Sequence, residues 1–195
     1  MYTPAKHWPA DLAQSHFGNK TVFGILRDPY ERLVAQFRGS GRVTAMDLFA
    51  KCDVNGFVKR LLAKYQAGSP YADNCQQLPQ AEFFDQPFGA TVFVDNRRFP
   101  ESANELLQQH GYADLTIRHE DVVHVSGCDH KWAGDLDDEA KAMVRKVYAR
   151  DFELLCKHFG YCEEGENTCL THIQGMCPEQ LFKWNASSLI YERKI

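Results

Sequence analysis

The chain has 195 residues, of which 44% are apolar and 25% are charged, a composition typical of a globular domain rather than of a disordered tail. Its formal net charge of -4 argues against a nucleic-acid binder, because neutralising phosphates requires a surplus of Lys and Arg. No window reaches the roughly 18 to 20 consecutive apolar residues that a membrane span needs.

The first strong pattern is a strand followed at once by a helix. Residues 21–26 (TVFGIL) are apolar, β-branched or aromatic and are bounded by turn residues, which predicts a buried strand. Asp28 stands at a helix N-cap position, with Pro29 at the first helical position and Glu31 three residues after the cap. The segment therefore predicts a strand, a tight turn and a helix.

The rest of the domain alternates helical and strand patterns. The further periodic segments are a helix from Asp53 that stops at Gly68, a strand at 90–94, a helix at 101–109 and a long helical run at 137–159. Buried strands between helices predict an α/β fold with a small parallel sheet flanked by helices.

The periodic patterns end near Cys162, so we predict a domain over 1–161 and a Cys-rich C-terminal tail over 162–195. The chain has seven cysteines, a high number for a reduced compartment, and an odd count leaves at least one sulfur outside any internal pairing. Four cysteines crowd the C-terminal quarter without C-x-x-C spacing: Cys156, Cys162, Cys169 and Cys177. Disulfides, buried thiols and a metal site that includes His158 and His172 all stay open, and we predict no metal.

Arg27 is the first candidate for chemistry. A strand that delivers Arg27 directly to the start of a helix brings together a guanidinium, free backbone N–H groups and the positive end of the helix dipole, which predicts an anion site. Arg27 then supplies a bidentate fork for a phosphate, and Asp28 caps the helix. Arg32 lies about one turn further on, where it either joins this site or forms a structural ion pair.

The segment 27–38 (RDPYERLVAQFR) resembles the segment that binds the 3'-phosphate of the donor PAPS in Golgi-type carbohydrate sulfotransferases, the family of the heparan sulfate 2-O-, chondroitin and HNK-1 enzymes. Three other stretches are similar to that family: Lys6-His7, 78–80 (LPQ) and 147–161 (VYARDFELLCKHFGY). The resemblance implies a P-loop-nucleotide-hydrolase-like architecture and transfer of a sulfuryl group from PAPS to a carbohydrate hydroxyl.

The resemblance also implies site residues. It assigns PAPS binding to Arg27, Asp28, Arg32 and Ala35, the role of catalytic base to His7, and contacts with substrate to Lys6 and Gln80. Ala35 stands where the family has a serine, and one lost hydroxyl is expected to cost on the order of 1 kcal/mol of donor binding.

One departure from the family leaves the function open. No Gly/Ser/Thr-rich loop for the 5'-phosphosulfate precedes Arg27, so we expect a catalytic domain that is truncated at its N-terminus. The chain is then either a PAPS-dependent carbohydrate sulfotransferase or a non-catalytic module that binds a nucleotide or a sulfated glycan. The family implies the Golgi lumen, with any membrane anchor outside this chain, and the glycan-acceptor tripeptides at Asn19 and Asn185 agree with a secretory route.

Overall fold

The structure, a computed structural model, describes residues 3–71, 75–121, 127–162, 174, 177 and 182–194. Within these ranges the α-helices are α1 (Ala10–Phe17), α2 (Pro29–Thr44), α3 (Met46–Phe49), α4 (Val54–Gln66), α5 (Glu101–Gln109), α6 (Asp138–Val147) and α7 (Ala149–Phe159). The strands are β1 (Phe23–Leu26), β2 (Val92–Asp95), β3 (Phe182–Asn185) and β4 (Ile190–Arg193). Across the described part of the chain, no helix combines the length and apolar character needed to cross a membrane.

Strands β1 and β2 form the predicted small parallel sheet. Phe23 lies opposite Val92, and Leu26 lies opposite Asp95. Because the strands are parallel, their carboxyl ends meet at the same edge, where Arg27 leaves one strand and Asn96 leaves the other. The α/β class is confirmed, and the P-loop-like architecture stays a prediction.

Helix α2 begins where the sequence predicts. The Asp28 carboxylate accepts hydrogen bonds from the backbone N–H groups of Tyr30 (2.9 Å) and Glu31 (3.1 Å), and Pro29 occupies the first helical position. One face of this helix is fully buried in the main core, which lies between α2, α4, α6 and α7. The largest fully buried apolar side chains of this core are Tyr30, Tyr148, Phe37, Leu26, Leu33, Leu62, Val34, Val54, Val58 and Val144.

The long periodic run at 137–159 divides into two helices. Helix α6 ends at Val147 and α7 begins at Ala149, with Tyr148 between them in a non-helical conformation (φ -108°, ψ 26°). Tyr148 is buried, and its hydroxyl donates a 2.9 Å hydrogen bond to the carbonyl of Gln77. The break between α6 and α7 therefore lies at the residue whose side chain hydrogen-bonds to the loop before Gln80.

Five of the described cysteines are disulfide-bonded. The structure contains the pairs Cys52–Cys128 and Cys156–Cys162, Cys177 is also disulfide-bonded, and Cys75 is a free, buried thiol. The disulfide alternative for Cys156, Cys162 and Cys177 is thus the one observed, whereas Cys169 and His172 lie outside the described residues. Among the residues that the structure describes, no three His, Cys, Asp or Glu side chains form a group that could hold a metal.

Part of the C-terminal tail is regular, which the sequence analysis did not predict. Strands β3 and β4 form an antiparallel hairpin, in which Trp184 and Tyr191 face each other with ring centroids 4.9 Å apart. The side-chain oxygen of Asn185 accepts hydrogen bonds from the backbone N–H groups of Ser187 and Ser188 in the turn. The strands have only four residues each, too few to give a clear alternating pattern.

Candidate functional site

The backbone of Arg27 is held by the side chain of Gln80. The Arg27 N–H donates to Gln80 Oε1 (3.0 Å), and Gln80 Nε2 donates to the Arg27 carbonyl (2.7 Å). This pair of bonds mimics the pairing that a neighbouring strand would provide. Gln80 was predicted to contact substrate, and the structure places its amide on the backbone of the candidate phosphate ligand.

Helix α7 fixes this arrangement through Asp151. The carboxylate is fully buried (0% exposed) and accepts hydrogen bonds from the backbone N–H groups of Gln80 (2.9 Å) and Ala81 (2.8 Å) and from Gln80 Nε2 (3.2 Å). Burial raises the pKa of Asp151, and these hydrogen bonds oppose the rise. The 3₁₀ turn Gln80–Phe83 is thereby tied to α7 on one side and to β1 on the other.

The guanidinium of Arg27 keeps donors available for a ligand. Its side chain is 24% exposed, Nη2 makes a long 3.4 Å contact with Glu31 Oε2, and Nε is buried without an acceptor. Burial lowers the pKa of Arg27, while Glu31 raises it, and an Arg stays protonated throughout the physiological range. Within the described residues, the group is a cation with most of its N–H groups unpaired.

The backbone at the start of α2 is less available than predicted. The sequence analysis expected free N–H groups here, but Asp28 accepts from both Tyr30 and Glu31, and the N–H of Arg32 donates to the Asp28 carbonyl (2.9 Å). Burial raises the pKa of Asp28 to about 6, although its two backbone hydrogen bonds and the nearby Arg97 lower it. An anion at this helix start therefore meets the Arg27 guanidinium and the helix dipole, not open N–H groups.

Arg32 makes structural contacts. Its guanidinium donates to the carbonyls of Leu78 (2.9 Å) and Gln76 (2.8 Å) and lies 3.9 Å from Asp151. Ala35, one turn further along α2, is half-buried and offers only a methyl group. Of the four predicted PAPS contacts, Arg27 is therefore the side chain with free donors.

Glu31 lies between two guanidinium groups. Its Oε2 is 3.4 Å from Arg27 Nη2 and 3.7 Å from Arg38 Nη2, and its Oε1 is buried without a hydrogen-bond partner. Glu31 therefore shares its charge between Arg27 and Arg38 and neutralises neither fully.

Lys6 and His7 are placed on the far side of the 3₁₀ turn. Lys6 forms ion pairs with Glu82 and Asp85, and Arg150 pairs with the same two carboxylates. Partial burial would lower the pKa of Lys6, but hydrogen bonds to Asp85 and Glu82 raise it. The charge of Lys6 is therefore neutralised within the protein.

His7 is exposed, and its ring lies edge-on to Tyr71 at a centroid distance of 6.0 Å. No hydrogen bond or ion pair joins the His7 ring to another residue in the described part of the chain. The imidazole is exposed to solvent, and the structure shows no direct contact between His7 and Arg27.

A second polar group lies at the carboxyl end of β2, and the sequence analysis missed it. Asp95 accepts hydrogen bonds from the Tyr161 hydroxyl (2.6 Å) and the Arg97 N–H (2.9 Å), and the Arg97 guanidinium stacks 3.8 Å from the centre of the Tyr161 ring. Burial, together with Asp95, raises the pKa of Tyr161 to about 12. The signal in the sequence was the run DNRR directly after the predicted strand at 90–94.

Comparison with known proteins assigns no family, since no family model, curated protein or solved structure matches the chain.

Proposed function

We propose that the chain is a sulfotransferase-type domain that binds PAPS, with Arg27 on its 3'-phosphate, for sulfuryl transfer to a carbohydrate hydroxyl. The observation that carries this proposal is the Arg27 guanidinium, which follows β1 directly, has an unpaired Nε and a single long contact to Glu31. A phosphate placed there replaces a weak 3.4 Å ion contact with charge-assisted bidentate hydrogen bonds.

The local architecture supports a fixed anion ligand. Gln80 clamps the backbone of Arg27, and Asp151 in turn fixes Gln80, so the side chain projects from a fixed stretch of backbone. Less backbone freedom is then lost when a ligand binds, which favours binding. The start of α2 adds the positive end of its helix dipole.

In-line sulfuryl transfer depends on positioning and charge stabilisation, with a base near the acceptor hydroxyl. In this proposal Arg27 orients the donor and His7 accepts the hydroxyl proton, because a neutral imidazole does so near pH 7. Lys6 contributes little positive charge, since Glu82 and Asp85 already neutralise it.

Two observations favour the second candidate, a non-catalytic module that binds the nucleotide or a sulfated glycan. The predicted acceptor contact Lys6 is engaged by two carboxylates, and Ala35 lacks the hydroxyl expected beside the 3'-phosphate. The ion pairs of Lys6 weaken turnover more directly than they weaken anion binding at Arg27, whereas the missing hydroxyl at Ala35 lowers donor affinity without removing the anion site.

Calorimetry with adenosine 3',5'-bisphosphate tests the shared premise. We expect binding that exceeds that of adenosine 5'-monophosphate, which lacks the 3'-phosphate. We expect Arg27→Ala to weaken it by roughly 10- to 100-fold, because a hydrogen bond to a charged group contributes about 1.5 to 3 kcal/mol. Arg60→Ala serves as the matched control, since Arg60 is an exposed arginine paired with Asp47 on a different helix.

Equal affinity of Arg27→Ala and the unmodified chain, or no binding at all, contradicts the proposal. A transfer assay with labelled PAPS and a panel of glycans then separates the two candidates. Transfer that His7→Ala abolishes supports the enzyme, whereas nucleotide binding without transfer supports the non-catalytic module.

A further inference from the structure

The outer edge of β1 carries unpaired backbone groups. The carbonyl of Val22 accepts the N–H of Val92, so alternate residues of the strand direct their backbone groups toward β2. The backbone groups of Phe23 and Ile25 therefore face the opposite edge. No described residue provides a hydrogen-bond partner for them there.

The same edge is closed only at its carboxyl end. Arg27 is the next residue in this alternation, and the Gln80 amide pairs with both its N–H and its carbonyl. The Gln80 side chain thus occupies one position of a strand that is otherwise missing. Among the described residues, the backbone groups of Phe23 and Ile25 on this edge lack the pairing that Gln80 gives to Arg27.

The sequence of β1 is that of a central strand. The run TVFGIL has apolar residues on both faces, which is the pattern of strands buried inside parallel sheets. In the structure, however, Phe23 is 52% exposed and Ile25 is 40% exposed. The pattern of a central strand and the exposure of these two side chains therefore disagree.

A groove of about 330 Å³ follows this edge. Residues of the N-terminal segment, of β1 and of the segment that contains the 80–83 turn line it, among them Phe17, Phe23 and Phe83. The lining holds no charged side chain. Gly24 matters for its shape, because a Cβ there would meet the Phe84 ring at 2.7 Å.

The outer edge of β2 is different. The groove along it has about 200 Å³ and is lined by charged side chains that include Asp95, Arg98 and Glu105. The Asp95 carbonyl on that edge also accepts a hydrogen bond from the Ser102 hydroxyl (2.7 Å). Charged side chains beside an edge, or a segment that covers it, oppose further strand pairing. The groove beside β1 has no charged side chain in its lining, and the backbone groups of Phe23 and Ile25 are uncovered by other described residues.

We propose that the groove beside β1 binds an extended segment of another polypeptide, which pairs with the backbone of Phe23 and Ile25 as an added strand. The segment is apolar and uncharged over about four residues, because the groove offers backbone donors and acceptors and an apolar lining but no counter-charge.

Hydrogen exchange measured by NMR tests this proposal. The probe is a capped peptide with the sequence of residues 90–95 (ATVFVD) followed by two lysines, because that sequence already pairs with the other edge of β1. In the free protein, the amides of Phe23 and Ile25 exchange fast while that of Gly24 is protected. Saturating peptide slows exchange at Phe23 and Ile25 at least tenfold, and the same peptide with both valines replaced by proline has no effect.

A charged edge provides the matched variant. Ile25→Lys weakens peptide binding at least tenfold, whereas Val43→Lys, at a position on α2 that is 86% exposed, changes it less than twofold. Absence of slowing up to the solubility limit, or equal effects of the two variants, overturns the proposal. Protection of Phe23 and Ile25 without peptide, in a chain that sediments as a dimer, also overturns it.

This inference is independent of the Arg27 site. Ile25→Lys is expected to bind adenosine 3',5'-bisphosphate as the unmodified chain does, so failure of one proposal is distinguishable from failure of the other.

Discussion

Asp28 combines two properties that are seldom found together. It is the N-cap of α2, and it is almost fully buried beside two arginines. Burial raises its pKa to about 6 from an ordinary value of 3.8, which means that the folded chain holds this proton more tightly than the unfolded chain. The free energy of unfolding therefore falls as the pH rises from about 4 to about 6.

We expect this effect to reach about 2 kcal/mol between pH 4 and pH 7, since one pKa unit corresponds to about 1.4 kcal/mol and the unfolded carboxyl is already partly ionised at pH 4. Urea unfolding of the unmodified chain and of Asp28→Asn over this range measures it, because Asn keeps the cap but does not titrate. The stability difference between the two should change with pH, and Asp53→Asn at the N-cap of α4 controls for the loss of any capping carboxylate. A difference that stays constant from pH 4 to pH 7 contradicts the raised pKa.

At the scale of elements, α7 positions the candidate site through a single buried carboxylate. Asp151 accepts three hydrogen bonds from the 80–83 turn, and Gln80 in that turn holds Arg27. Oδ2 of Asp151 faces both the backbone N–H and the side-chain Nε2 of Gln80. If Asn replaces Asp151, its NH₂ group faces an N–H donor of Gln80 or Ala81 in either orientation of the amide.

We therefore expect Asp151→Asn to destabilise the fold by about 2 to 4 kcal/mol, because one or two of the three hydrogen bonds are lost, depending on the orientation of the amide, and those that remain are no longer made to a charge. Nucleotide binding at Arg27 should weaken in the same variant, since the hydrogen bonds that fix the 80–83 turn become fewer and weaker. Glu153→Gln, an exposed carboxyl-to-amide change on the same helix, is the control and should leave both properties unchanged. If Asp151→Asn unfolds at the same urea concentration as the control, the anchoring role is wrong.

The elements that the sequence predicted well are those with local signals. Asp28 and Pro29 mark the start of α2, and the helix at 101–109 has the bounds predicted. The contacts that define the candidate site join residues far apart in the chain, such as Gln80 and Arg27, which are separated by 53 positions. No local pattern encodes that pairing, so the sequence identified Gln80 as a candidate but not as a clamp on the Arg27 backbone.

At the scale of the whole molecule, the disulfides differ in what they constrain. Cys52–Cys128 joins residues 76 apart and ties the loop before α4 to the segment before α6, whereas Cys156–Cys162 closes a span of only 6 at the end of α7. A crosslink restricts the unfolded chain more when it closes a longer loop. The loop-entropy relation gives about 4 kcal/mol for the long loop and about 2 kcal/mol for the short one.

We expect the Cys52→Ala/Cys128→Ala variant to lose about 2 kcal/mol more stability than the Cys156→Ala/Cys162→Ala variant, measured by urea unfolding at one pH. Both changes remove two sulfurs, so the number of cysteines replaced is the same in the two variants. Both Cys52 and Cys128 also pack against the main core, so their replacement removes buried contacts and widens the difference. Equal losses in the two variants would mean that the unfolded chain is already compact near Cys52 and Cys128, and that this crosslink does not hold the two halves of the core together.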